Sequence, residues 1–301
     1  MKTVNTVNKP VNVPDVFIIG FGDIGSRVAR LYLQEKKTVS GLARSPSSSQ
    51  QMKDIGVDPV KADLDQVQSL QNLPLANALI FYFAPPPATG KTDPRMEHFL
   101  ACLDSSNLPR KIVYISTSGV YGDQSGNWVT EATPTRPGAE RAHRRLDAEN
   151  KLRQFRQQNS VETVILRVGG IYGPGRLPEK RIREKIPVIN EELAPKTNRI
   201  HADDLAAICV AAAKRGLDGE IYNVSDGCDS NMTEYFFQVA DHLGLERPPC
   251  VDWETANEVL SPGMLSYLRE SRRMDNSKMI NELAITLKYP DLASGLANIS
   301  L

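Results

Sequence analysis

Short apolar runs of strand length alternate along the chain with segments in which apolar residues recur at helical spacing. The strand candidates are 15–20, 38–43, 78–84, 111–117, 162–168 and 220–225. Helices are predicted over about 23–35 and 139–158, and further helical stripes begin at Met96, Leu205 and Phe236. These repeated strand–helix–strand units predict a doubly wound α/β fold of the Rossmann type, with a mainly parallel sheet between two layers of helices.

Two segments, 173–200 and 226–275, are rich in proline and charge and interrupt this alternation. We expect a main domain over 15–225, with 173–200 as an insertion, followed by a C-terminal lobe and tail over 226–301. Residues 1–14 are polar and are expected to form a flexible extension. In sheets of this kind, ligands bind at the carboxyl ends of the strands.

The charged side chains balance, with 36 basic and 36 acidic residues and a formal net charge of zero. Such a chain has no overall field for nucleic acid or an anionic membrane, so neither is expected as a partner. No apolar run approaches the ~20 residues of a spanning helix, and the N-terminus lacks the apolar core of a secretory signal. The four cysteines form no C-x-x-C pair, which favours free thiols in the cytoplasm and no metal site.

The stretch "FIIGFGDIG" places three glycines between a strand candidate and a helix candidate. In a dinucleotide-binding loop, Gly20 allows the tight turn, Gly22 admits a pyrophosphate to the backbone, and Gly25 lets helix and strand pack closely. Asp23 and Ile24 open the helix, whose free N–H groups face the anion. The alternative is a glycine-rich turn without a ligand.

The end of the second strand indicates which dinucleotide is bound. An NAD site usually has a carboxylate there, whereas this chain has Arg44 and Ser45 in "GLARSPSSS". Because arginine pairs with phosphate through two hydrogen bonds, we predict NADP rather than NAD. Asp63, at the end of a third strand, is expected to accept a hydrogen bond from the adenine amino group. The alternatives are a solvated arginine and an exposed turn aspartate.

Six motifs, in this order along the chain, resemble those of extended short-chain dehydrogenases/reductases, the NAD-dependent epimerase/dehydratase family. They are "GFGDIG", "FAPPP", "YISTSGVYGD", "LRVGGIYGPGR", "RIHADDLA" and "IYNVSDG". The resemblance covers about 15–290 and is greatest to the atypical branch typified by bacterial YeeZ-like proteins. It implies a seven-stranded sheet, a nicotinamide cofactor, a C-terminal lobe over a small-molecule substrate, and a homodimer. Family members oxidise or reduce a carbonyl or alcohol, often on a nucleotide sugar.

The chain departs from this family at the residues that transfer the proton. Family members carry a Tyr, a Lys four residues later, and an Ala-Glu pair a few residues on. Aligning that pair with Ala148 and Glu149 puts Arg145 at the Lys position and Arg141 at the Tyr position. No tyrosine occurs anywhere in 122–171. An arginine cannot replace it, because its guanidinium stays protonated.

The other catalytic position of the family, a Ser or Thr, is retained as Thr117 with Ser118 beside it. If the helix face presents Arg145 and Arg141 to the cleft, Arg145 can bind the nicotinamide ribose. Arg141 can bind an anionic substrate group or a developing oxyanion. The alternative is a solvated basic helix. Because the usual tyrosine is missing, proton transfer is expected to fall to Tyr121 or to solvent.

Three further residues are expected to contact the cofactor: Ala84 and Pro85, where an apolar run ends, and Gly169 in "RVGG". The chain is thus interpreted as an NAD(P)-binding oxidoreductase or epimerase-like protein that lacks the usual Tyr and Lys. It would act on a carbonyl, alcohol or nucleotide-sugar substrate. The alternatives are a non-catalytic NADP-binding regulatory module and a nucleic-acid binder that uses the basic helix.

Overall fold

The computed structural model describes residues 13–300, and its centre is a seven-stranded parallel sheet. The strands are β1 (Val16–Ile19), β2 (Val39–Ala43), β3 (Asp58–Lys61), β4 (Leu79–Tyr82), β5 (Lys111–Thr117), β6 (Glu162–Val168) and β7 (Ile221–Val224). They lie in the order β7-β6-β5-β4-β1-β2-β3, with every neighbouring pair parallel. The predicted fold class is therefore confirmed.

Eleven helices are present in the described residues. They are α1 (Asp23–Gln34), α2 (Pro46–Lys53), α3 (Pro94–Ala101), α4 (Glu140–Gln158), α5 (Glu179–Arg183), α6 (Ala202–Arg215), α7 (Met232–His242), α8 (Trp253–Val259), α9 (Pro262–Leu268), α10 (Ser277–Glu282) and α11 (Leu292–Leu296). Turns of 3₁₀ helix cover Val67–Leu70, Ser118–Tyr121 and Glu191–Leu193. None of these helices is both long and apolar enough to span a bilayer.

Both faces of the sheet are apolar, which explains why its strands are continuous hydrophobic runs. Successive side chains of a strand point to opposite faces. Val16 and Ile18 accordingly pack with α1 and α6 in one core, whereas Phe17 and Ile19 pack with α3 and α4 in a second. The molecule therefore has the three layers expected of a doubly wound fold.

A buried ion pair fixes α4 against the sheet. Glu149 has no exposed surface, and both its carboxylate oxygens accept hydrogen bonds from Arg167 of β6, at 3.2 and 2.8 Å. Ser116 of β5 donates its hydroxyl to the same carboxylate at 2.6 Å. A buried carboxylate requires such partners, because an unpaired charge in the interior is costly. One side chain of α4 is thus bound to two strands.

The chain after β6 builds a lobe with a core of its own. Residues from 172–194 and 232–299 share this core, so the predicted insertion and the C-terminal segment pack together. The short strands outside the main sheet are Gly170–Tyr172 with Arg199–His201, Val188–Ile189 with Cys250–Val251, Lys196–Thr197 with Ser230–Asn231, and Trp128–Val129, which precedes β6, with Arg273–Met274. The expected lobe over 226–301 is interrupted, because Met279 and Leu283 return to the core of the main sheet. The predicted extension 1–14 lies outside the described residues except for its last two.

Replacing Glu149 with Ala is predicted to reduce the free energy of unfolding by about 3–5 kcal/mol, because it leaves the buried Arg167 guanidinium without a counter-charge. Chemical denaturation measures the effect. Glu258→Ala is the matched control: that glutamate is exposed on α8 and its loss should change stability by less than about 0.5 kcal/mol. Equal effects of the two substitutions would contradict this account of α4.

Candidate functional site

The glycine loop between β1 and α1 has the geometry that close approach of a ligand requires. Gly20 has φ +95°, and a Cβ there would lie 2.3 Å from the backbone nitrogen of Ala84. A Cβ on Gly25 would lie 2.9 Å from the carbonyl oxygen of Gly20. A Cβ on Gly22, by contrast, would have no protein atom within 4 Å. Space is thus left open at the residue that caps α1, beside its free amides.

The two residues that open α1 are held differently. The Ile24 side chain is buried in the sheet core, so only its backbone faces the loop. The Asp23 carboxylate accepts hydrogen bonds from Arg27, at 2.7 Å, and from Arg176, at 2.5 Å. Burial by itself would raise the pKa of Asp23, but the hydrogen bonds from Arg176 and Arg27 lower it below its usual value. This carboxylate is therefore ionised and already paired within the protein.

A cavity of about 360 Å³ adjoins the glycine loop at the carboxyl ends of β1, β2 and β4. Its lining includes seven of the residues predicted to contact the cofactor: Gly20, Gly22, Arg44, Ser45, Asp63, Ala84 and Pro85. The Arg44 side chain is exposed, whereas the Ser45 hydroxyl caps α2 by accepting from the amide of Ser48 at 3.2 Å. The structure therefore brings these sequence-predicted residues together.

Arg95 also lines this cavity, and sequence reasoning missed it. It donates two nearly parallel hydrogen bonds to Asp65, at 2.7 and 2.6 Å, and a third to the carbonyl of Pro85, at 2.9 Å. The pKa of Asp65 is lowered by the hydrogen bond from Arg95. Only the position of Arg95 in the first turn of α3, just after "FAPPP", could have indicated it.

A second cavity, of about 430 Å³, lies next to the first, and Pro85 lines both. It brings together Thr117, Ser118, Arg141, Arg145 and Gly169, which are far apart in the sequence. The two cavities thus lie side by side along the carboxyl edge of the sheet, and together they are called the cleft, with the glycine loop at one end and the predicted reacting groups at the other.

Both predicted arginines of helix α4 line this second cavity. Arg145 donates from Nη1 to the carbonyl of Ile115 at 3.2 Å and to the Tyr114 hydroxyl at 3.3 Å. Arg141 donates from Nη1 to the Ser266 hydroxyl, in the lobe, at 2.9 Å. The two residues are four apart, so they lie on one helix face. Neither belongs to a solvated basic face, which was the alternative interpretation of this helix.

The structure corrects the expectation for Tyr121. Its side chain is fully buried, and its hydroxyl donates to Oδ1 of Asn223 at 2.7 Å rather than facing the cleft. The Arg167 guanidinium lies 4.8 Å from the centre of its ring. Burial raises the pKa of Tyr121, although Arg167 acts in the opposite direction. A buried phenol with a raised pKa, outside the cavity, has no access to a substrate.

Among the residues of the second cavity that were not predicted, four carry a charged or aromatic side chain: Arg144, Tyr267, Glu270 and Arg272. Arg144 lies beside Arg145 on α4, but the family motif that singled out positions 141 and 145 does not include it. The other three come from the lobe, on a segment with little regular pattern. In the described part of the chain, no group of three or more His, Cys, Asp or Glu residues is arranged for a metal ion.

The chain is similar to a known protein family and to a bacterial protein along most of its length. The model of the "NAD dependent epimerase/dehydratase family" matches residues 16–225. The protein YeeZ of Escherichia coli is 26% identical, over 92% of this chain and 96% of YeeZ. This match extends over the lobe as well as the sheet domain.

Two solved structures are similar over nearly the whole chain. A conserved protein of unknown function from Silicibacter pomeroyi is 27% identical, with a TM-score of 0.77 over 93% of this chain and 96% of its own. DesIV, a dTDP-glucose 4,6-dehydratase from Streptomyces venezuelae, is 21% identical, and its double mutant with NAD and DAU bound has a TM-score of 0.75 over 94% of each chain. This second likeness is one of fold.

Two glycine substitutions distinguish the structural requirement at Gly20 from the open space at Gly22. Gly20→Ala is predicted to destabilise the protein by more than about 2 kcal/mol, because the new Cβ meets backbone and the φ angle is strained. Gly22→Ala should leave stability within about 0.5 kcal/mol, because its Cβ meets no protein atom. Urea denaturation of both variants checks this. A Gly22→Ala variant as unstable as Gly20→Ala would show that the space is not open.

Proposed function

Because the chain belongs to the NAD dependent epimerase/dehydratase family, we propose that it is an NAD(P)-dependent oxidoreductase or epimerase-like enzyme. The observation that carries the proposal is the pair of neighbouring cavities that share Pro85, one beside the open glycine loop and the other lined by Ser118. The substrate would be a carbonyl or alcohol compound, nucleotide sugars among them.

The residues of the first cavity fit a dinucleotide. The amides at the start of α1 would bind its pyrophosphate, and Asp63 its adenine. Arg44 and Ser45 would bind a 2′-phosphate, which favours NADP over NAD because this strand end has no carboxylate for a ribose hydroxyl. At the other end, Arg145 would bind the nicotinamide ribose near Ala84 and Gly169. When bound, the nicotinamide supplies or accepts a hydride.

The reacting oxygen would be held by Ser118. The neighbouring Thr117 hydroxyl already accepts a hydrogen bond from the amide of Gly119, at 3.2 Å, and so shapes the turn that presents Ser118. The Arg145 guanidinium would stabilise negative charge that develops on that oxygen. Since Arg141 replaces the usual tyrosine and stays protonated, the proton would exchange with solvent rather than with a phenol.

A second candidate function is a non-catalytic NADP-binding module that regulates a partner. It is supported by the motif alignment, which puts Arg141 and Arg145 at the positions of the family's Tyr and Lys.

For either function we propose the cytoplasm as the location, which the four free cysteines support. A homodimer is proposed on the family resemblance alone.

Thermal unfolding with NADPH, NADP, NADH and NAD tests the cofactor. A ligand at ~100 times its dissociation constant stabilises the folded protein by about 2.7 kcal/mol. We expect this stabilisation with NADPH and NADP, which carry the 2′-phosphate. Arg44→Ala should abolish the preference for NADPH over NADH. The control is Arg110→Ala, because Arg110 is exposed at the amino end of β5, on the opposite edge of the sheet. A shift with none of the four dinucleotides would refute the proposal.

Hydride exchange separates the two candidate functions. An enzyme should transfer a hydride between the nicotinamide and at least one member of a broad panel of carbonyl and nucleotide-sugar compounds. Arg145→Ala should then reduce turnover at saturating cofactor by more than tenfold. A regulatory module would show cofactor affinity that falls in Arg145→Ala but no exchange with any compound, in either the variant or the wild type.

A further inference from the structure

We infer that the second cavity is built for a substrate that carries an oxyanion, a carboxylate or a phosphate, next to its reacting carbon. The inference rests on the proposed function only in calling the bound molecule a substrate. The guanidinium groups of Arg141, Arg144 and Arg272 would hold the oxyanion. Nothing in the cofactor's own binding requires these three side chains.

The charge of this cavity is strongly one-sided. Four arginines line it, the three named above and Arg145, whereas Glu270 is the one carboxylate among its lining residues within 13–300. Their formal charge is therefore +3. Glu270 is itself neutralised by Arg272, with 3.1 Å between Oε2 and Nη1. A cleft lined by one sign of charge with poorly hydrated walls concentrates ligands of the opposite sign.

Two of these arginines are buried with unused donors. Arg144 and Arg272 are only 6% and 8% exposed. Arg144 donates from Nη1 to the carbonyl of Gly90 at 2.6 Å, and Arg272 from Nη1 to the carbonyl of Gly122 at 2.8 Å. The Nε–H of each has no hydrogen-bond partner in the described chain. Arg144 Nη1 lies 3.9 Å from Oε2 of Glu140, so each of the two guanidinium groups has one carboxylate within 4 Å. Burying an incompletely paired cation costs free energy, and an anion in the cavity would offset part of that cost through its charge rather than by bonding to Nε.

The position of these arginines restricts the substrate. They share the cavity with Ser118 and Gly169, so a bound oxyanion would lie at the reacting end of the cleft. Arg141 occupies the helix position where the family has its tyrosine, and its Nη1 is steadied by the Ser266 hydroxyl from the lobe. A short hydroxy acid, oxo acid or phosphorylated compound satisfies this arrangement. A long substrate whose only charge lies far from the reacting carbon does not.

Isothermal titration with inorganic phosphate and with malonate, at constant ionic strength and saturating NADPH, tests the inference. Neutral malonamide serves as the uncharged counterpart of malonate. We expect at least one of the two anions to bind, malonamide not to bind, and Arg141→Ala to weaken anion binding by at least about tenfold, because a charge-assisted hydrogen-bond donor is lost. Arg272→Lys, which keeps a charge at the buried position, should weaken it less. Arg110→Ala should bind as the wild type does.

Two controls keep this test separate from the cofactor proposal. If NADPH does not bind, the titrations are repeated without a cofactor on the wild type, on Gly22→Ala and on Arg141→Ala. Gly22→Ala alters the glycine loop, the other place where an anion could bind. Anion binding that survives in Gly22→Ala but is lost in Arg141→Ala assigns the anion to the arginine cavity even though the cofactor proposal has failed. Failure of both anions to bind, or equal binding by the wild type and Arg141→Ala, overturns the inference. A circular dichroism spectrum confirms that each variant is folded.

Discussion

The absence of a side chain at residue 20 is the constraint on which the site depends. The sheet order reverses between β1 and β4, so the chain leaves these neighbouring strands in opposite directions. At this point the amides of Phe83 and Ala84 both donate to the carbonyl of Ile19, at 2.7 and 3.0 Å, and press against Gly20. Any Cβ there would separate the two strand ends. The close approach of these two strand ends at Gly20 places the glycine loop beside Ala84 and Pro85, which line the first cavity with it.

A second constraint places the reacting end of that cleft. Residues 141, 145 and 149 are spaced four apart on α4 and follow one face of the helix. Glu149 is fixed between β5 and β6 by Ser116 and Arg167, and this sets the rotation of the helix about its axis. Arg145 and Arg141 then point along the cleft toward the lobe. The ion pair within the core thus acts on the site at a distance, because a turned helix would withdraw both guanidinium groups.

The sequence was sufficient to predict the sheet, the position of the glycine loop and part of the cleft lining, because these follow from local patterns. Continuous apolar runs and helical stripes depend on few neighbours, and the three glycines have a fixed spacing. Arg95, Arg144 and Arg272 were not predicted, since their places in the cavity lining arise only where distant segments meet. Tyr121 was misplaced for the same reason: its partner Asn223 lies 102 residues away. Strands of two residues, such as Arg273–Met274, carry no periodic signal at all.

The central claim is that the two cavities bind one dinucleotide, which meets a cationic reacting site. A crystal structure of the protein with NADPH tests it most directly. We predict density for the 2′-phosphate beside Arg44, the pyrophosphate at the amides after Gly22, and the nicotinamide between Pro85 and Gly169. Density for an intact dinucleotide elsewhere on the protein, or an empty glycine loop at saturating NADPH, would contradict the account.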